Sequence, residues 1–385
     1  MKDKIFSILL SWLFFMFFSW TNVYGSDLEL SGEWVSRLEA EFQGENDIIL
    51  FNSLGLDLNY NSSMSAFKAS LDITDDDDDP NVSLEEAYGE FYFQSTDLRI
   101  GKQYIAWGKT DGINPTDNFN PEDLTDPFSE DNKLAVNAVR AKHYQDDWIF
   151  DLIWAPLFTA AELPEAGSRW SSLPAGLEIE PQEPENSLEN SEIGVRASKW
   201  AGSIDFSFSY FRGWSKTPAW PDQSIIEDVQ LVFKPEYYQV DVFGTDWARD
   251  FGSFVFRGEL AYFKTKKDFQ LKNPFSQYVL GVDFNATDEL YIITQLIGEK
   301  EEGKDRTDNL TVSLEYELTE FKTIELNGIY NLADRDSLIN PLFNYEIRDG
   351  LAMTLGAYIF SGEDGSSYGG FDEKDYVYIE LVRSF

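Results

Sequence analysis

The chain of 385 residues contains no cysteine and a single histidine, His143. The absence of cysteine excludes disulfides and thiolate metal sites. Lipases and proteases usually need a histidine as general base, and His143 falls beside a short turn rather than in a long loop. The pair Glu315 and Glu317 is two residues apart on an alternating segment, which is typical of an acidic wall. The sequence therefore predicts no enzyme and no cofactor, and it contains no metal-site motif.

Long apolar runs are confined to the N-terminus. A charged start, residues 1–4, is followed by an apolar run from Ile5 to Trp20 and by small or tolerated residues up to Gly25. This pattern predicts a secretory signal peptide, residues 1–25, with cleavage after Gly25. The alternative is a membrane anchor, although the run is shorter than the ~20 residues that a spanning helix needs. Residues 26–385 are then expected to form one domain without helical spans.

Positive charge is also scarce, with 30 Lys and Arg against 69 Asp and Glu, and a net charge of -39. Aromatic residues nevertheless make up 16% of the chain and charged residues 26%. Aromatic and charged residues are both abundant in the same chain, which is unusual for a protein with one soluble core. A transmembrane barrel accommodates them, because its aromatic residues face lipid and its charges line a wet interior.

The apolar residues alternate with polar ones over many short segments. Residues 310–318, LTVSLEYEL, place leucine, valine and tyrosine on one face and threonine, serine and glutamate on the other. The same period of two, which is that of a strand, recurs in residues 28–42, 54–60, 86–93, 204–210, 254–262 and 277–284. The last segment, residues 377–385, ends on Phe385, on its apolar face. We expect this strand to close a barrel by pairing with the first one.

Connection lengths predict the topology. Eight short turns alternate with nine longer connections, which gives eighteen strands, or 16 to 20 if Ile225 to Lys234 is counted differently. Short turns on one side and long loops on the other are typical of outer-membrane barrels. The fold class expected is all-β, a transmembrane antiparallel β-barrel with both termini in the periplasm of a Gram-negative bacterium.

Three of the long connections carry unusual residues. The run Asp75–Asp79 lies in the second, where it forms either a solvated acidic tip or a divalent-cation site. The third, residues 110–132, is rich in acidic residues. The fourth, residues 158–189, contains Trp170 and several prolines, and it either plugs the lumen, caps the mouth or binds a ligand.

Basic residues on the polar faces suggest a pore constriction. Arg99, Arg140 and Arg196 come from the fifth, sixth and eighth predicted strands. If the third loop folds inward, its acids face these arginines and produce a transverse field that selects ions. In the alternative, each arginine pairs with a neighbouring wall carboxylate and only stabilises the wall. The residues predicted to line this constriction are Arg99, Asp117, Glu122, Asp123, Arg140, Arg196, Arg257 and Glu259.

One stretch resembles a known family. Residues 98–108, LRIGKQYIAWG, followed by NPTD at 114–117, are similar to a signature of porin-like outer-membrane barrels of uncharacterised function, which are themselves similar to alginate-export channels. The resemblance implies that Arg99, Gln103 and Trp107 point inward, and it adds Gln103 and Trp107 to the predicted pore lining. It also implies that they precede a loop with Asn114, Pro115 and Asp117. A further implication is passive transport. Phe385 resembles the recognition signal that the barrel-assembly machinery reads. The acidic balance departs from the basic lumen of alginate channels, which argues against a polyanionic solute.

The sequence thus favours a porin, a passive diffusion channel for small hydrophilic solutes or ions with a preference for cations. The alternatives are a plugged or loop-capped barrel that transports one substrate (a sugar, an oligosaccharide or a hydrophobic compound), and a structural or adhesive surface protein. The expected partners are outer-membrane lipid, the assembly machinery and small solutes, with a homo-oligomer left open and no nucleic acid.

Overall fold

The computed structural model describes residues 24–25, 28–42, 48–76, 79–128, 132–171, 173–220, 225–227, 230–266 and 272–385. The signal peptide predicted over residues 1–25 lies outside these ranges except for Tyr24–Gly25, which pairs with Leu28 and Glu29. No helix in the described ranges is long and apolar enough to cross a membrane. The short 3-10 helices Leu188–Asn190 and Gly369–Lys374 lie in loops.

Eighteen antiparallel strands form one closed sheet, as predicted. Each strand pairs with its neighbours in the sequence, and the last pairs with the first. In chain order, β1 to β18 are Leu28–Glu41, Ile48–Asn61, Ser65–Asp76, Asp79–Phe93, Thr96–Gln103, Val136–Gln145, Trp148–Ala155, Glu192–Ala201, Ile204–Trp214, Gln239–Asp250, Phe254–Thr265, Phe275–Asn285, Leu290–Glu301, Arg306–Thr319, Lys322–Asn331, Ser337–Arg348, Leu351–Ser361 and Tyr376–Ser384.

Short turns and longer connections alternate around the barrel, so that it has a turn end and a loop end. The connections at the loop end, called L1 to L9, are residues 42–47, 77–78, 104–135, 156–191, 215–238, 266–274, 302–305, 332–336 and 362–375. The expectation of a long second loop was wrong, because β3 and β4 stay paired as far as Asp76 and Asp79. Residues 77–78 of the acidic run lie outside the described ranges.

The region 225–234 is not a barrel strand. Ile225–Glu227 and Gln230–Phe233 form a small separate sheet with Glu178–Ile179, which joins L5 to L4. This segment therefore belongs to a loop. The strand number is eighteen, and the wider range of 16 to 20 is not needed.

The expected polar lining holds for only part of the lumen. At the loop end of β6 to β12, inward-facing positions are apolar and buried, among them Ile153, Phe211, Val242 and Phe263. A uniformly wet interior was therefore a wrong prediction for this wall. The apolar residues point inward because L3 covers them and excludes water from them. We call this wall the dry wall.

The seam between β1 and β18 is tightly packed. Gly32 and Phe385 exchange two backbone hydrogen bonds of 3.0 and 2.9 Å. A Cβ atom at residue 32 would lie 2.5 Å from the Phe385 ring and 2.9 Å from the carbonyl oxygen of Gly55. The C-terminal residue is thus fixed against the first strand, as its position on the apolar face predicts.

We expect Gly32→Val to destabilise this seam, because overpacking of this kind costs about 1–3 kcal/mol. The temperature at which the folded barrel unfolds, read from its gel mobility after heating, should fall. Gly370→Val is the matched control, since a Cβ atom there meets nothing within 4 Å. Equal transition temperatures for the two variants would contradict the prediction.

Candidate functional site: the loop L3 constriction

L3 folds into the barrel and packs against the dry wall. Phe119 is fully buried, with its ring edge-on to Trp107 at 5.6 Å and to Phe211 at 4.9 Å between centroids. Gly194 of β8 makes room for this cluster, because a Cβ atom there would lie 2.5 Å from the Phe119 ring. The loop is therefore part of a hydrophobic core inside the lumen.

A buried glutamate of β11 holds the backbone of L3. Glu259 is 2% exposed, and its Oε1 accepts hydrogen bonds from the Lys109 and Thr110 amides at 2.5 and 2.9 Å and from the Thr110 hydroxyl at 2.9 Å. Its Oε2 accepts from the Thr116 hydroxyl and amide at 2.9 and 3.3 Å. One carboxylate thus satisfies five donors that the fold has removed from water. We call Glu259 the L3 anchor.

The W-G and N-P-x-D motifs meet at this anchor. Gly108 has φ of +103°, and a Cβ atom there would lie 2.4 Å from Asn114 Oδ1 and 2.6 Å from Glu259 Oε1. The Asp117 amide donates to the Asn114 carbonyl at 3.0 Å, which closes a turn. The spacing of the two motifs therefore brings the loop backbone close to the carboxylate, where only glycine fits.

The predicted arginines are all paired with wall carboxylates. Arg140 Nη2 lies 2.6 Å from Asp151, which also accepts from the Trp107 indole at 3.1 Å. Arg196 Nη2 lies 3.0 Å from both carboxylate oxygens of Asp246.

Arg99 and Arg257 are held in the same way. Arg99 Nη2 lies 3.0 Å from Glu90 Oε2, and its guanidinium stacks 4.2 Å from the centroid of the Tyr88 ring. Arg257 contacts Asp283 and lies 3.0 Å from Asp111 of L3. The contacts of Arg99, Arg140 and Arg196 match the alternative in which each arginine pairs with its neighbours in the wall, whereas Arg257 also contacts an acid of L3.

The predicted acids of L3 lie near a lysine of the same loop. Lys133 Nζ is 3.6 Å from Asp117 Oδ2 and 3.6 Å from Glu122 Oε1. Burial raises the pKa of Asp117 to about 6, although the neighbouring ammonium of Lys133 acts in the opposite direction. Asp123 Oδ1 instead accepts from the Thr125 amide at 2.8 Å. The structure therefore joins Asp117 and Glu122 through Lys133 and places none of the three acids in an ion pair with Arg99, Arg140 or Arg196.

The remaining predicted residues, Gln103 and Trp107, are buried. Gln103 Nε2 donates to the Ala138 carbonyl at 2.9 Å, which ties the end of β5 to β6. The pore-lining role assigned to these residues from the sequence stays a prediction. Of the two, Trp107 joins L3 to the wall, through the hydrogen bond from its indole to Asp151.

An open cavity lies on the opposite side of L3. It has a volume of about 980 Å³, and its walls are β1 to β4 and β15 to β18, with Tyr104, Phe128 and Lys133 of L3 facing them. Seven carboxylates and three cations line it. The acids are Glu33, Asp57, Asp72, Glu85, Glu86, Glu325 and Glu380. We call this space the acidic channel. The sequence reasoning did not single out most of these acids, because each one looks like an ordinary polar position of an alternating strand.

The three cations of the acidic channel have carboxylate neighbours. Lys68 Nζ lies 2.7 Å from Glu86 Oε2. Arg37 Nε lies 3.1 Å from Glu39 Oε1, and its guanidinium stacks 4.0 Å from the centroid of the Tyr378 ring. Since carboxylates outnumber cations here, the potential along this path is negative.

L4 crosses the mouth at the loop end and fastens to the far wall. Arg169 contacts Glu39, lies 3.2 Å from Glu41 Oε1 and stacks 4.3 Å from the centroid of the Tyr376 ring. Trp170 is buried, edge-on to Phe128 of L3 at 4.9 Å between centroids. Arg169 and Trp170 form what we call the L4 clasp, which also holds the tip of L3.

A closed barrel with an inward-folded loop is the architecture of a transmembrane β-barrel. The chain belongs to the DUF1302 family, described as proteins of unknown function, whose model matches residues 23–356. No curated protein matches it.

Solved structures share the fold. OccAB3 of Acinetobacter baumannii is 7% identical with a TM-score of 0.59, over 94% of this chain and 100% of that one. OccK5 (OpdH) of Pseudomonas aeruginosa is 9% identical with a TM-score of 0.58, over 94% and 99%. The trimer form of OmpT, an outer membrane protein of Vibrio cholerae, is 9% identical with a TM-score of 0.50, over 93% and 99%. The likeness to these proteins shows the fold.

We expect Glu259→Gln to loosen L3, because either orientation of the amide directs an NH2 group at buried N–H donors. Each unsatisfied buried donor costs about 1–3 kcal/mol. Trypsin should then cut the folded protein faster after Lys109 and Lys133, which mass spectrometry of the fragments detects. Glu317→Gln, at an exposed position of β14, is the control. Unchanged cleavage of E259Q would mean that the apolar contacts alone hold the loop.

Proposed function

We propose that the protein is an outer-membrane porin, a passive diffusion channel for small hydrophilic solutes and ions with a preference for cations. The observation that carries this proposal is the acidic channel, a cavity of about 980 Å³ between L3 and the wall formed by β1 to β4 and β15 to β18. A negative lining concentrates cations and repels anions. The likeness of the fold to outer-membrane proteins supports the location.

L3 narrows the lumen in this proposal, and the acidic channel sets the selectivity. Glu259 and Arg140 act indirectly, because Glu259 holds the backbone of L3 and Arg140 shares Asp151 with Trp107 of L3. Arg196 pairs with Asp246, which lies 3.8 Å from Lys109 of L3. Lys133 lies at the surface of L3 that faces the channel, so its charge opposes that of the acids. His143 lies near the turn end, where its Nδ1 is 2.9 Å from the Thr96 hydroxyl oxygen.

Single-channel recording in a planar bilayer with a salt gradient tests the proposal. We expect discrete conductance steps and a reversal potential that indicates cation preference. Asp72→Asn should weaken this preference and Lys133→Gln should strengthen it, because they remove opposite charges from the same path. Asp147→Asn, in the turn after β6, is the control for a general change in net charge. An identical reversal potential for D72N, K133Q and the parent protein would refute the assignment of the path.

A second candidate is a loop-capped transporter for one substrate, which the L4 clasp favours. L4 also pairs with L3, since the Leu124 amide donates to the Glu162 carbonyl at 2.8 Å and the Glu162 amide to the Glu122 carbonyl at 3.1 Å. Two loops that are joined to each other and pinned across the mouth would restrict entry more than a simple porin requires.

We expect Trp170→Ala to release L4, since removing a buried tryptophan costs about 3–5 kcal/mol. If L4 is a cap, conductance of W170A should rise well above that of the parent protein. Trp220→Ala, an exposed position in L5, is the matched control. If the parent protein conducts and the conductance of W170A is no higher, L4 is not a cap and the capped transporter is ruled out.

A further inference from the structure

Charged side chains occupy the outward face of the barrel at the loop end of five of the six consecutive strands from β9 to β14. Arg212 lies opposite Ile193, which is exposed on the outside of the wall. Residues directly opposite each other in an antiparallel pair share one face. Asp241 lies opposite both Arg212 and Lys264, so these three residues point away from the lumen.

The same register continues across β12 to β14. Ser276 lies opposite Tyr262 on one side and Lys300 on the other, and Lys300 lies opposite Arg306. Asp308 is two residues further along the same face of β14. We define the outward rim as Arg212, Asp241, Lys264, Lys300, Arg306 and Asp308.

A row of tyrosines lies next to the outward rim on the same face of the wall, one step closer to the middle of the strands. Tyr210 Oη donates to Asp241 Oδ1 at 2.7 Å, and Tyr278 Oη donates to Asp308 Oδ1 at 2.5 Å. Tyrosine is enriched where hydrocarbon meets the lipid headgroups, with its ring in the apolar layer and its hydroxyl in the polar one. The row therefore places the outward rim at headgroup level.

The outward rim is positive although the chain is strongly negative. It has four cations and two acids, whereas the whole chain carries a net charge of -39. The side chains of Arg212 and Arg306 are 59% and 60% exposed, so both present N–H groups to the outside. Flanking outward positions at this end are apolar, such as Trp154 of β7, Ile193 of β8 and Leu332 after β15.

We propose that the outward rim binds the phosphate groups of lipids in the outer leaflet of the membrane. Arginine and lysine are the side chains that bind phosphate. The rim spans five inter-strand spacings of about 4.8 Å, roughly 24 Å, which is wide enough for more than one phosphate. A second copy of the chain is the competing occupant, since its acids would also attract the cations.

Native mass spectrometry of the refolded protein in detergent tests the proposal with added diphosphorylated lipid A. The rim variant carries Arg212→Gln, Lys264→Gln, Lys300→Gln and Arg306→Gln. The matched control carries four changes at the turn end, which is the opposite end of the barrel: Arg249→Gln, Lys322→Gln, Arg348→Gln and Arg383→Gln. Each cation near an anionic lipid surface contributes roughly fivefold in affinity. We expect the rim variant to lose at least about tenfold in lipid A affinity and the control to keep it.

Three outcomes would overturn the proposal. The first is that the rim variant binds lipid A as tightly as the parent protein does. The second is that dephosphorylated lipid A binds the parent protein as tightly as diphosphorylated lipid A does. The third is that the parent protein forms oligomers in the absence of lipid and the rim variant does not, which would assign the surface to a second copy of the chain. The double variant Lys264→Gln/Lys300→Gln leaves both arginine–aspartate pairs intact and should show an intermediate loss if the quadruple variant misfolds. Lipid binding is measured by mass spectrometry and requires no conductance recording, so these results do not depend on the channel proposal.

Discussion

The structure depends on the need to satisfy a loop backbone that has been taken out of water. L3 enters the lumen as irregular chain, and each of its buried N–H groups must find an acceptor. Glu259 accepts from the amides of residues 109, 110 and 116, and Asn120 Oδ1 accepts from the Ile105 amide at 2.9 Å. Because these partners are fixed on rigid strands or within the loop itself, L3 holds one position and the lumen keeps one shape.

This position of L3 divides the interior by both polarity and charge. On the dry wall, carboxylates such as Asp151 and Asp246 have arginine partners, since an unpaired buried charge is costly. The opposite wall stays wet, so its carboxylates need fewer cations. The scarcity of basic residues thus affects the two sides unequally, and the excess of negative charge collects along the open path.

Much of the fold follows from local patterns. Period-two alternation and connection lengths were enough for eighteen strands, because every strand has a lipid-facing side that must be apolar. Phe385 could be placed on that side from its register alone. The pairing of the arginines with wall residues was also foreseen as one of two options, since strand neighbours of opposite charge are close in any register.

The dry wall and the anchor were harder to foresee. Residues 148–155, WIFDLIWA, are apolar on both faces apart from Asp151, which is a visible signal of a second buried side. Nothing in the strand pattern, however, shows which loop covers it. Glu259 is more than 140 residues away from its partners in L3, with separations of 143 to 150. Only the three-dimensional arrangement brings them together, and alternation does not distinguish this glutamate from the other lumen acids.

The location of the cations follows from the same balance. A chain with 30 basic residues against 69 acidic ones cannot neutralise every carboxylate, so a cation is retained where its absence would be most costly or where a partner outside the chain is negative. Arg140 and Arg196 fit the first condition, because their carboxylate partners are buried. Lys264 and Lys300 are exposed on the lipid side, where burial of a wall acid does not require them. Their presence there is explained if the negative charge that they meet belongs to the membrane.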